Sequence, residues 1–426
     1  MTLSETVHEM KLVSPRMAAA ADADKNRALS AIAEALQKRK EEIFAANRQD
    51  LAEAAGKGVG EQIVKRLTFD EHKLRACVEG LQQLSALPDP VGRVTLKRRL
   101  DDGLVLKRVT SPIGVIGVIF EARPDAMVQI AGLCIKSGNC AILKGGREAE
   151  HTNAALFETI LQAVTEAGLP EKCLLRVSDH AEIDEVLRLD KDVDLIIPRG
   201  SNAFVRHIME NTKIPVMGHA DGICHIYIDT ADEGKVLPIV VDAKTQYPAA
   251  CNAVETILVK REIAGRILPP LVQALRAAGV SVRGDAETAA IVPVDGDALA
   301  GEDYRHEYGD LIIACRIVAD VDEAIEHINT YGSHHTDAIL TDDDAAAERF
   351  FTLVDSAGVY RDCSTRFADG FRYGFGAEVG ISTGKIHARG PVGLEGLTVY
   401  RYLMECSGQC VRDYADGTKQ FHFADL

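Results

Sequence analysis

Cys251 is the residue in this sequence whose surroundings best suit nucleophilic chemistry. It lies in Gln246-Tyr-Pro-Ala-Ala-Cys-Asn, where its neighbours are small, just before a predicted strand. A cysteine thiolate is a strong nucleophile toward an acyl carbon. The alternative is a buried structural cysteine, which the residue type alone favours because the chain has ten cysteines.

Two glycine-containing turns with cationic residues follow predicted strands and precede predicted helices. They are Lys144-Gly145-Gly146-Arg147 and Arg199-Gly200-Ser201-Asn202. Ligands of parallel α/β sheets bind at the carboxyl ends of strands, so these turns predict a nucleotide site. Gly114 and Gly117 would also allow a close backbone approach. Because the Gly-x-Gly-x-x-Gly fingerprint is absent, ordinary tight turns remain the alternative.

A histidine pair stands beside an acid in His334-His335-Thr336-Asp337, which suggests a proton relay or a ligand pair. Adjacent residues of an extended segment point in opposite directions, so a shared metal ion is not expected. The other cysteines and histidines lack the spacing of zinc ligands, and we predict no metal site. The alternative is that one histidine is packed and the other solvated.

The elements that must position these residues alternate between short apolar strands and helices from residue 113 onward. This rhythm predicts an α/β fold with parallel strands and right-handed crossovers. It restarts after Val216, which predicts two lobes with a boundary near Asp229. A helical layer at Ala18–Glu79 and a hairpin at Lys97–Thr110, around an Asp-Gly turn, precede them.

The individual predicted elements are short and well separated. The strands are Ile113–Phe120, Cys140–Lys144, Leu174–Val177, Val193–Ile197, Cys224–Ile228 and Glu255–Val259, and the helices are Asp125–Ser137, Glu148–Ala167, Ile183–Leu189, one from Asn202, Ile263–Ala278 and Asp322–Thr330.

Composition narrows the class of protein. A chain of 426 residues, 46% of them hydrophobic, is long enough for two cores. The net charge of -16 repels nucleic acid and anionic membrane surfaces. Scattered cysteines fit a reducing compartment, Met1–Arg16 has no apolar signal core, and the longest apolar run is too short to span a bilayer. We therefore predict a cytoplasmic protein without nucleic-acid or membrane partners.

Taken in order, these segments resemble the aldehyde dehydrogenase superfamily over nearly the whole chain. The most specific stretch runs from Val318 through Asn329-Thr-Tyr-Gly-Ser-His-His-Thr-Asp to Ile339. Supporting stretches are Phe120-Glu-Ala-Arg-Pro-Asp, Gln246–Asn252 and Gly376–Pro391. Within the superfamily, the segments are most similar to enzymes of proline biosynthesis. The resemblance therefore implies reduction of L-glutamate 5-phosphate to L-glutamate 5-semialdehyde with release of phosphate.

The resemblance implies two Rossmann-like α/β lobes and a small β oligomerisation element. Residues 1–97 and 112–228 would bind NADPH, residues 229–395 would form the catalytic domain, and residues 98–111 and 396–426 would join subunits of a homo-oligomer, a dimer or a tetramer.

The resemblance also implies roles for single residues. Cys251 would be the nucleophile that forms a thioester. Arg147 stands where NAD-preferring members often carry an acid, so an arginine there should pair with the 2′-phosphate of NADPH. The other implied cofactor contacts are Lys144 and Gly145 at the adenosine ribose, Gly200 and Ser201 near the pyrophosphate, and Glu307 at the nicotinamide ribose.

Departures from the superfamily pattern bear on the reaction. The segment Val216-Met-Gly-His-Ala-Asp-Gly lacks the glutamate that activates water in hydrolytic members, which favours reduction of the thioester over its hydrolysis. Ala122 stands at the position of the oxyanion asparagine, so the backbone N–H of Cys251 or the side chain of Asn252 would donate instead. In the segment Asp362-Cys-Ser-Thr-Arg-Phe, Asp362 stands where the family usually has an asparagine.

An anionic substrate in a net acidic protein needs local cations. Arg123 and Arg366 are the candidates, with Ser364 and Thr365 as hydroxyl donors. The alternative for each arginine is a structural salt bridge, for Arg123 with Glu121 or Asp125.

Other functions stay open at this stage. The nearest is a hydrolytic NAD(P)-dependent semialdehyde dehydrogenase, and more distant ones are a cofactor-free acyltransferase or thiol hydrolase and a catalytically silent binding protein. The chain has no kinase-like part, so a separate glutamate 5-kinase must supply the acyl phosphate, and transient contact with that kinase is left open.

Overall fold

The computed structural model describes residues 2–426 except 122, 220, 376, 377 and 387, and the side chains of 61, 62 and 180 also lie outside the description. The chain forms two compact units. The first comprises Met1–Met217, Phe375–Gly380 and Val392–Leu426, and the second comprises Gly218–Gly374 and Ile381–Pro391. The domain limits predicted from the sequence, including the one near Asp229, stay predictions.

The first unit begins with a helical layer and continues with alternating strands and helices. Its helices are α1 Leu3–Ala18, α2 Asp22–Lys38, α3 Lys40–Gly56, α4 Glu61–Leu67, α5 Glu71–Ala86, α6 Pro124–Lys136, α7 Glu150–Glu166, α8 His180–Val186 and α9 Asn202–Glu210. Its strands up to residue 217 are β1 Val94–Asp101, β2 Leu104–Pro112, β3 Val115–Phe120, β4 Cys140–Lys144, β5 Leu174–Arg176 and β6 Leu195–Arg199.

Four of these strands form a parallel sheet in the order β5-β4-β3-β6, which confirms the predicted parallel arrangement. All six residues of β3 and all five of β4 are buried, as expected for largely apolar strands, although β4 ends in Lys144. Gly132 lets α6 approach α5 closely, since a Cβ there would lie 2.9 Å from Leu81 Cδ2. The sheet is therefore covered by tightly packed helices.

Gly114 and Gly117 allow a close approach to the backbone, as predicted, and the groups that approach them here are residues of this chain. A Cβ on Gly117 would lie 2.6 Å from Ile196 Cδ1, and a Cβ on Gly114 would overlap the Asp194 carboxylate. That carboxylate accepts a hydrogen bond from the Val115 N–H, at 2.8 Å. Both glycines make room for residues at β6 or just before it.

The second unit is built around a parallel sheet of six strands in the order β12-β11-β7-β8-β10-β9. Its strands are β7 Cys224–Ile228, β8 Val254–Lys260, β9 Ser281–Gly284, β10 Ile312–Val318, β11 Thr336–Leu340 and β12 Gly358–Arg361, with a small antiparallel pair, β13 Ile381–Ser382 and β14 Gly390–Pro391. Its helices are α10 Glu233–Thr245, α11 Arg261–Ala277, α12 Ala286–Ile291, α13 Val321–Tyr331 and α14 Asp344–Leu353.

Two separate apolar clusters cover this sheet. One joins strand residues to α10 and α11, and the other joins them to α13 and α14. Strands covered by helices on both sides are largely apolar, which made β7 and β8 recognisable in the sequence even though His225 and Glu255 lie within them.

The last part of the chain returns to the first unit. β15 Thr398–Cys406, α15 Val411–Ala415 and β16 Ala424–Asp425 complete an antiparallel sheet in the order β15-β2-β1-β16. The β1–β2 hairpin confirms the predicted Asp-Gly turn. Most residues of β15 are exposed, among them Tyr400, Tyr402 and Met404. Among the residues that the structure describes, no helix is both long and apolar enough to cross a membrane.

Candidate active site

Lys144 and Arg147 line a cleft of about 680 Å³ in the first unit. Lys144 ends β4 and is only 5% exposed, whereas Arg147 is exposed in a short 3-10 turn before α7. Burial lowers the pKa of Lys144, and the nearby Glu148 acts in the opposite direction. The cleft thus holds one enclosed and one solvated cation, the arrangement expected for a bound anion.

The glycines of the two predicted turns shape the same cleft. Gly146 and Gly200 line it, and a Cβ on Gly200 would lie 2.8 Å from Glu121 Cδ. Ser201 is the N-cap residue of α9 and makes no side-chain capping bond, so the helix start faces the cleft with N–H donors. The structure therefore brings Lys144, Arg147, Gly200 and Ser201 together, as the sequence predicted.

Arg123 also lines this cleft. Its Nη2 lies 3.1 Å from Asp125 Oδ2 at the start of α6, the salt bridge named as the alternative to substrate binding. Half of the Arg123 side chain stays exposed, so the pair leaves its guanidinium accessible.

Cys251 lies in the second unit, in the turn before β8, and its side chain is partly exposed. Gly222 makes room for it, because a Cβ at residue 222 would lie 2.7 Å from Cys251 Cβ. The buried Cys224 donates its S–H to the Cys251 carbonyl at 3.3 Å, and burial keeps the pKa of Cys224 well above its usual range. Cys251 is therefore the accessible thiol of the two.

Two histidines that the sequence did not assign to the site lie beside Cys251. One ring nitrogen of His219, one of His335 and the Cys251 sulfur all lie within 4.8 Å of one another. The three residues precede β7, β11 and β8, which are neighbours in the sheet. The cluster thus lies at the amino ends of parallel strands. Ligands of such sheets usually bind at the carboxyl ends, so this rule did not predict the position of the cluster.

Asn252 and Thr365 are held together next to the nucleophile. Asn252 Nδ2 donates to the Ala368 carbonyl at 2.8 Å, and Thr365 Oγ1 donates to the Asn252 carbonyl at 2.7 Å. Both side chains are buried. The Thr365 hydroxyl proton is used within the protein, whereas the Asn252 amide keeps a second N–H.

Arg366 is a buried cation of this region. It is 9% exposed, its Nε donates to Gln246 Oε1 at 2.9 Å, and the Ser364 hydroxyl accepts from its backbone N–H. Burial and the neighbouring Arg372 lower the pKa of Arg366, whereas a thiolate at Cys251 raises it. The buried Arg366 guanidinium is close enough to interact electrostatically with a Cys251 thiolate. A cation in this place can bind an anionic group of a substrate.

Glu307 is half-buried in the loop that leads to β10. The next two residues of that loop, Tyr308 and Gly309, donate backbone N–H groups to the Glu255 carboxylate at 3.3 Å each. Sequence reasoning missed Glu255 and its partner Lys244, because two charges on a predicted strand and helix give no sign that they meet. Ala122, the position of the missing oxyanion asparagine, lies outside the described residues.

Comparisons with known proteins agree with this architecture. Residues 2–294 match the model of the aldehyde dehydrogenase family. Gamma-glutamyl phosphate reductase of Acetivibrio thermocellus is 53% identical over 422 residues, which cover 99% of this chain and 97% of that protein. The Synechococcus elongatus protein of the same name is 55% identical over 394 residues, covering 92% and 91% of the two chains.

A solved structure is also similar to this chain over nearly its whole length. The crystal structure of gamma-glutamyl phosphate reductase from Thermotoga maritima matches with a TM-score of 0.93 and 40% identity, over 96% of this chain and 99% of that one. The chain therefore belongs to the aldehyde dehydrogenase family and, within it, to the gamma-glutamyl phosphate reductases. The aldehyde dehydrogenase family uses NAD or NADP as its cofactor.

Proposed function

We propose that this chain reduces L-glutamate 5-phosphate to L-glutamate 5-semialdehyde with NADPH, through a thioester on Cys251, as a step of proline biosynthesis. The observation that carries the mechanism is the partly exposed Cys251 thiol, set beside two imidazoles and within the field of the buried Arg366. Chain-wide similarity to proteins named gamma-glutamyl phosphate reductase supports the substrate.

The cleft of the first unit has the donors that a phosphorylated dinucleotide needs. Lys144 and Gly145 would hold the adenosine ribose, the start of α9 at Gly200 and Ser201 would hold the pyrophosphate, and Arg147 would pair with the 2′-phosphate. Glu307 would bind the nicotinamide ribose. When bound, the reduced nicotinamide supplies the hydride.

The acyl transfer belongs to the second unit. The Cys251 sulfur attacks the acyl carbon, the S–C bond forms, and the C–O bond to phosphate breaks. Arg366 holds a negative group of the substrate, and the Cys251 backbone N–H or the Asn252 amide donates to the developing oxyanion. After hydride addition, the hemithioacetal oxyanion collapses to the aldehyde and releases the Cys251 thiolate.

Hydrolysis of the thioester is disfavoured because the segment Val216–Gly222 offers no glutamate as base for water. This absence argues against the hydrolytic semialdehyde dehydrogenase. The acyl phosphate, a mixed anhydride, brings its own activation, so no step needs a metal ion. A separate glutamate 5-kinase would supply it, by transient contact.

We also propose that the chain forms a homo-oligomer through its antiparallel sheet. Two surface tyrosines on β15, Tyr400 and Tyr402, are each 57% exposed, and β16 adds Ala424 and Asp425 at the other edge of the sheet. Exposed apolar groups on a sheet edge favour pairing with another chain.

Phosphate-dependent turnover tests the function. We expect NADP reduction with glutamate 5-semialdehyde only when phosphate is present, because phosphate must cleave the thioester. Cys251→Ser should lose this turnover by several orders of magnitude while keeping the fold and NADPH binding, since an alkoxide is far less available than a thiolate. Cys406→Ser, at an exposed site on β15, is the matched control. Turnover without phosphate, or an active Cys251→Ser enzyme, would refute the proposal.

A further inference from the structure

His335 is fully buried next to Cys251, yet its side chain is only half satisfied. Its Nδ1 lies 3.0 Å from Thr336 Oγ1, while its Nε2 has no hydrogen-bond partner in the part of the chain that the structure describes. Buried polar atoms almost always have a partner, and one that lacks it calls for an explanation. A group that arrives with the substrate would provide it.

The surroundings of the ring allow it to change its protonation state. The Thr336 hydroxyl can accept from Nδ1–H or donate to a bare Nδ1, so this contact survives in both states. In the described part of the chain, Cys251, Cys224 and His219 are titratable groups that face His335, and burial keeps Cys224 protonated by raising its pKa. His219 donates Nδ1–H to the Ile381 carbonyl at 2.8 Å, which fixes the position of its ring.

Asp337, the next acid along the chain, interacts with residues other than His335. Its Oδ1 lies 2.9 Å from His225 Nδ1, and its Oδ2 accepts a hydrogen bond from Ser356. His335 is therefore not the middle member of an aspartate-linked relay. One ring nitrogen of His335 lies within 4.8 Å of the Cys251 sulfur and of a His219 ring nitrogen, so a proton can be exchanged there with Cys251, His219 or the substrate.

The acyl transfer needs a group of this kind. When the sulfur attacks an acyl phosphate, the bridging oxygen must take up a proton to leave as monohydrogen phosphate instead of the far more basic trianion. The attacking thiol must lose a proton in the same step. A single base close to the sulfur can move that proton from one atom to the other.

We propose that His335 is this proton carrier, an inference that rests on the proposed function. Nε2 accepts the Cys251 proton as the S–C bond forms and donates it to the bridging oxygen as the C–O bond breaks. The thiolate released after hydride transfer recovers a proton from solvent, so one proton is consumed in each turnover. His219 is a positioning residue, because its ring packs edge-on against His335 with the centroids 4.9 Å apart.

Two reactions of Cys251 separate this role from a structural one. Reduction of NADP with semialdehyde and phosphate runs the acyl transfer in reverse, and a base must then take the proton from the attacking phosphate oxygen and return it to the leaving sulfur. Acylation of Cys251 by p-nitrophenyl acetate releases a stable anion that needs no proton. In His335→Gln, phosphate-dependent turnover should fall ~100-fold or more at neutral and at alkaline pH. Acylation should fall near neutral pH and return to about the wild-type rate at alkaline pH, where solvent ionises the thiol.

Each other outcome overturns the proposal. If both reactions recover at alkaline pH, His335 only ionises the thiol, and if neither recovers, it only supports the structure. Unchanged turnover in His335→Gln removes it from the chemistry. A wild-type enzyme without phosphate-dependent turnover would refute the proposed function instead, while acylation would still report on the Cys251–His335 pair.

The neighbouring histidine provides a matched control. The His334 side chain is 42% exposed, its Nδ1 lies 2.6 Å from the Asp355 carbonyl, and its φ of 60° is one that asparagine tolerates. His334→Asn should therefore keep both reactions within about twofold of wild type. If His335→Gln fails to fold, His335→Asn, whose amide can still reach Thr336, is measured in the same two reactions.

Discussion

Lys244 Nζ and Glu255 Oε2 lie 2.9 Å apart, and both side chains are almost completely buried. Burial raises the pKa of Glu255 to about 7 and lowers the pKa of Lys244, so each charge depends on the other. The same carboxylate accepts the backbone N–H groups of Tyr308 and Gly309, next to Glu307. One buried ion pair thus fixes the loop that carries a proposed cofactor ligand.

Glu255→Gln should destabilise the protein by ~3 kcal/mol, because it leaves the buried Lys244 ammonium without an anion. Urea denaturation monitored by circular dichroism measures this change. The KM for NADPH should rise as well, since the amide accepts the two loop N–H groups less well than the carboxylate does.

The control for this variant removes both charges. Lys244→Met with Glu255→Leu should regain most of the lost stability, because a well-packed apolar pair can replace a buried ion pair. It should not restore the KM, since leucine accepts no hydrogen bond from the loop. A Glu255→Gln protein with wild-type stability would show that Lys244 is neutral in the folded protein.

Arg366 is the first of the two arginines predicted to bind the substrate. Arg366→Ala should raise the KM for the substrate at least ~10-fold, because the guanidinium is buried near Cys251 and a charge-assisted bond contributes roughly 1.5–3 kcal/mol. Its affinity for NADPH should change little. Fluorescence titration with NADPH and steady-state kinetics measure the two effects separately.

Arg123→Ala tests the other predicted cation. If Arg123 binds substrate as predicted, this variant too should raise the KM without changing NADPH affinity. If its role is the salt bridge with Asp125, the KM should stay normal and only stability should fall. If Arg366→Ala kept a normal KM for the substrate, residues other than Arg366 would have to bind the anionic groups of the substrate.

Local sequence patterns predicted the fold well where strands are buried on both sides. The predicted limits of β4 and β7 coincide with the observed ones, because each is a short, largely apolar run between turns. The helix predicted at Ile183–Leu189 begins at His180 instead, since Asp179 caps it and Glu182 closes a capping box. No helix was predicted at Leu3–Ala18, where α1 lies.

The site was predictable only in part. Cys251, Lys144 and Arg147 were recognisable by motif, since each lies within a short diagnostic segment. The contact of His335 with Cys251 was not, because it depends on β11 and β8 lying on either side of β7. Strand order is a long-range property, and a histidine pair in the sequence does not reveal which ring turns toward a distant cysteine.

Deleting Val411–Leu426 should shift the protein toward monomer if the antiparallel sheet joins subunits. The deletion removes β16, the Arg98–Asp425 contact of 2.7 Å, and the exposed Phe421 and Phe423, which are apolar groups of the proposed interface. Sedimentation velocity measures the change. An unchanged mass distribution would remove this segment from the interface.

Arg147→Glu should lower the preference for NADPH over NADH. The exposed Arg147 guanidinium lies beside the enclosed Lys144, so a 2′-phosphate in this cleft would meet two cations, whereas NADH offers only a hydroxyl there. A charge-assisted hydrogen bond of roughly 1.5–3 kcal/mol corresponds to a preference of about tenfold to a hundredfold. The glutamate repels the phosphate and can accept from a ribose hydroxyl, so kcat/KM should fall strongly for NADPH and little for NADH.

The comparison needs a control for charge in general and one for salt. Arg176→Glu, on β5, is the control because it changes the net charge by the same amount as Arg147→Glu. It removes the 2.8 Å contact of Arg176 with Glu150, and it should change kcat/KM for NADPH and for NADH by the same factor. Because Arg147 is exposed, the preference should also weaken at high salt, where screening blunts the contact. If the ratio of kcat/KM for the two cofactors stays within about twofold of wild type in Arg147→Glu, Arg147 does not recognise the 2′-phosphate. Any selectivity would then have to come from Lys144 or from the start of α9.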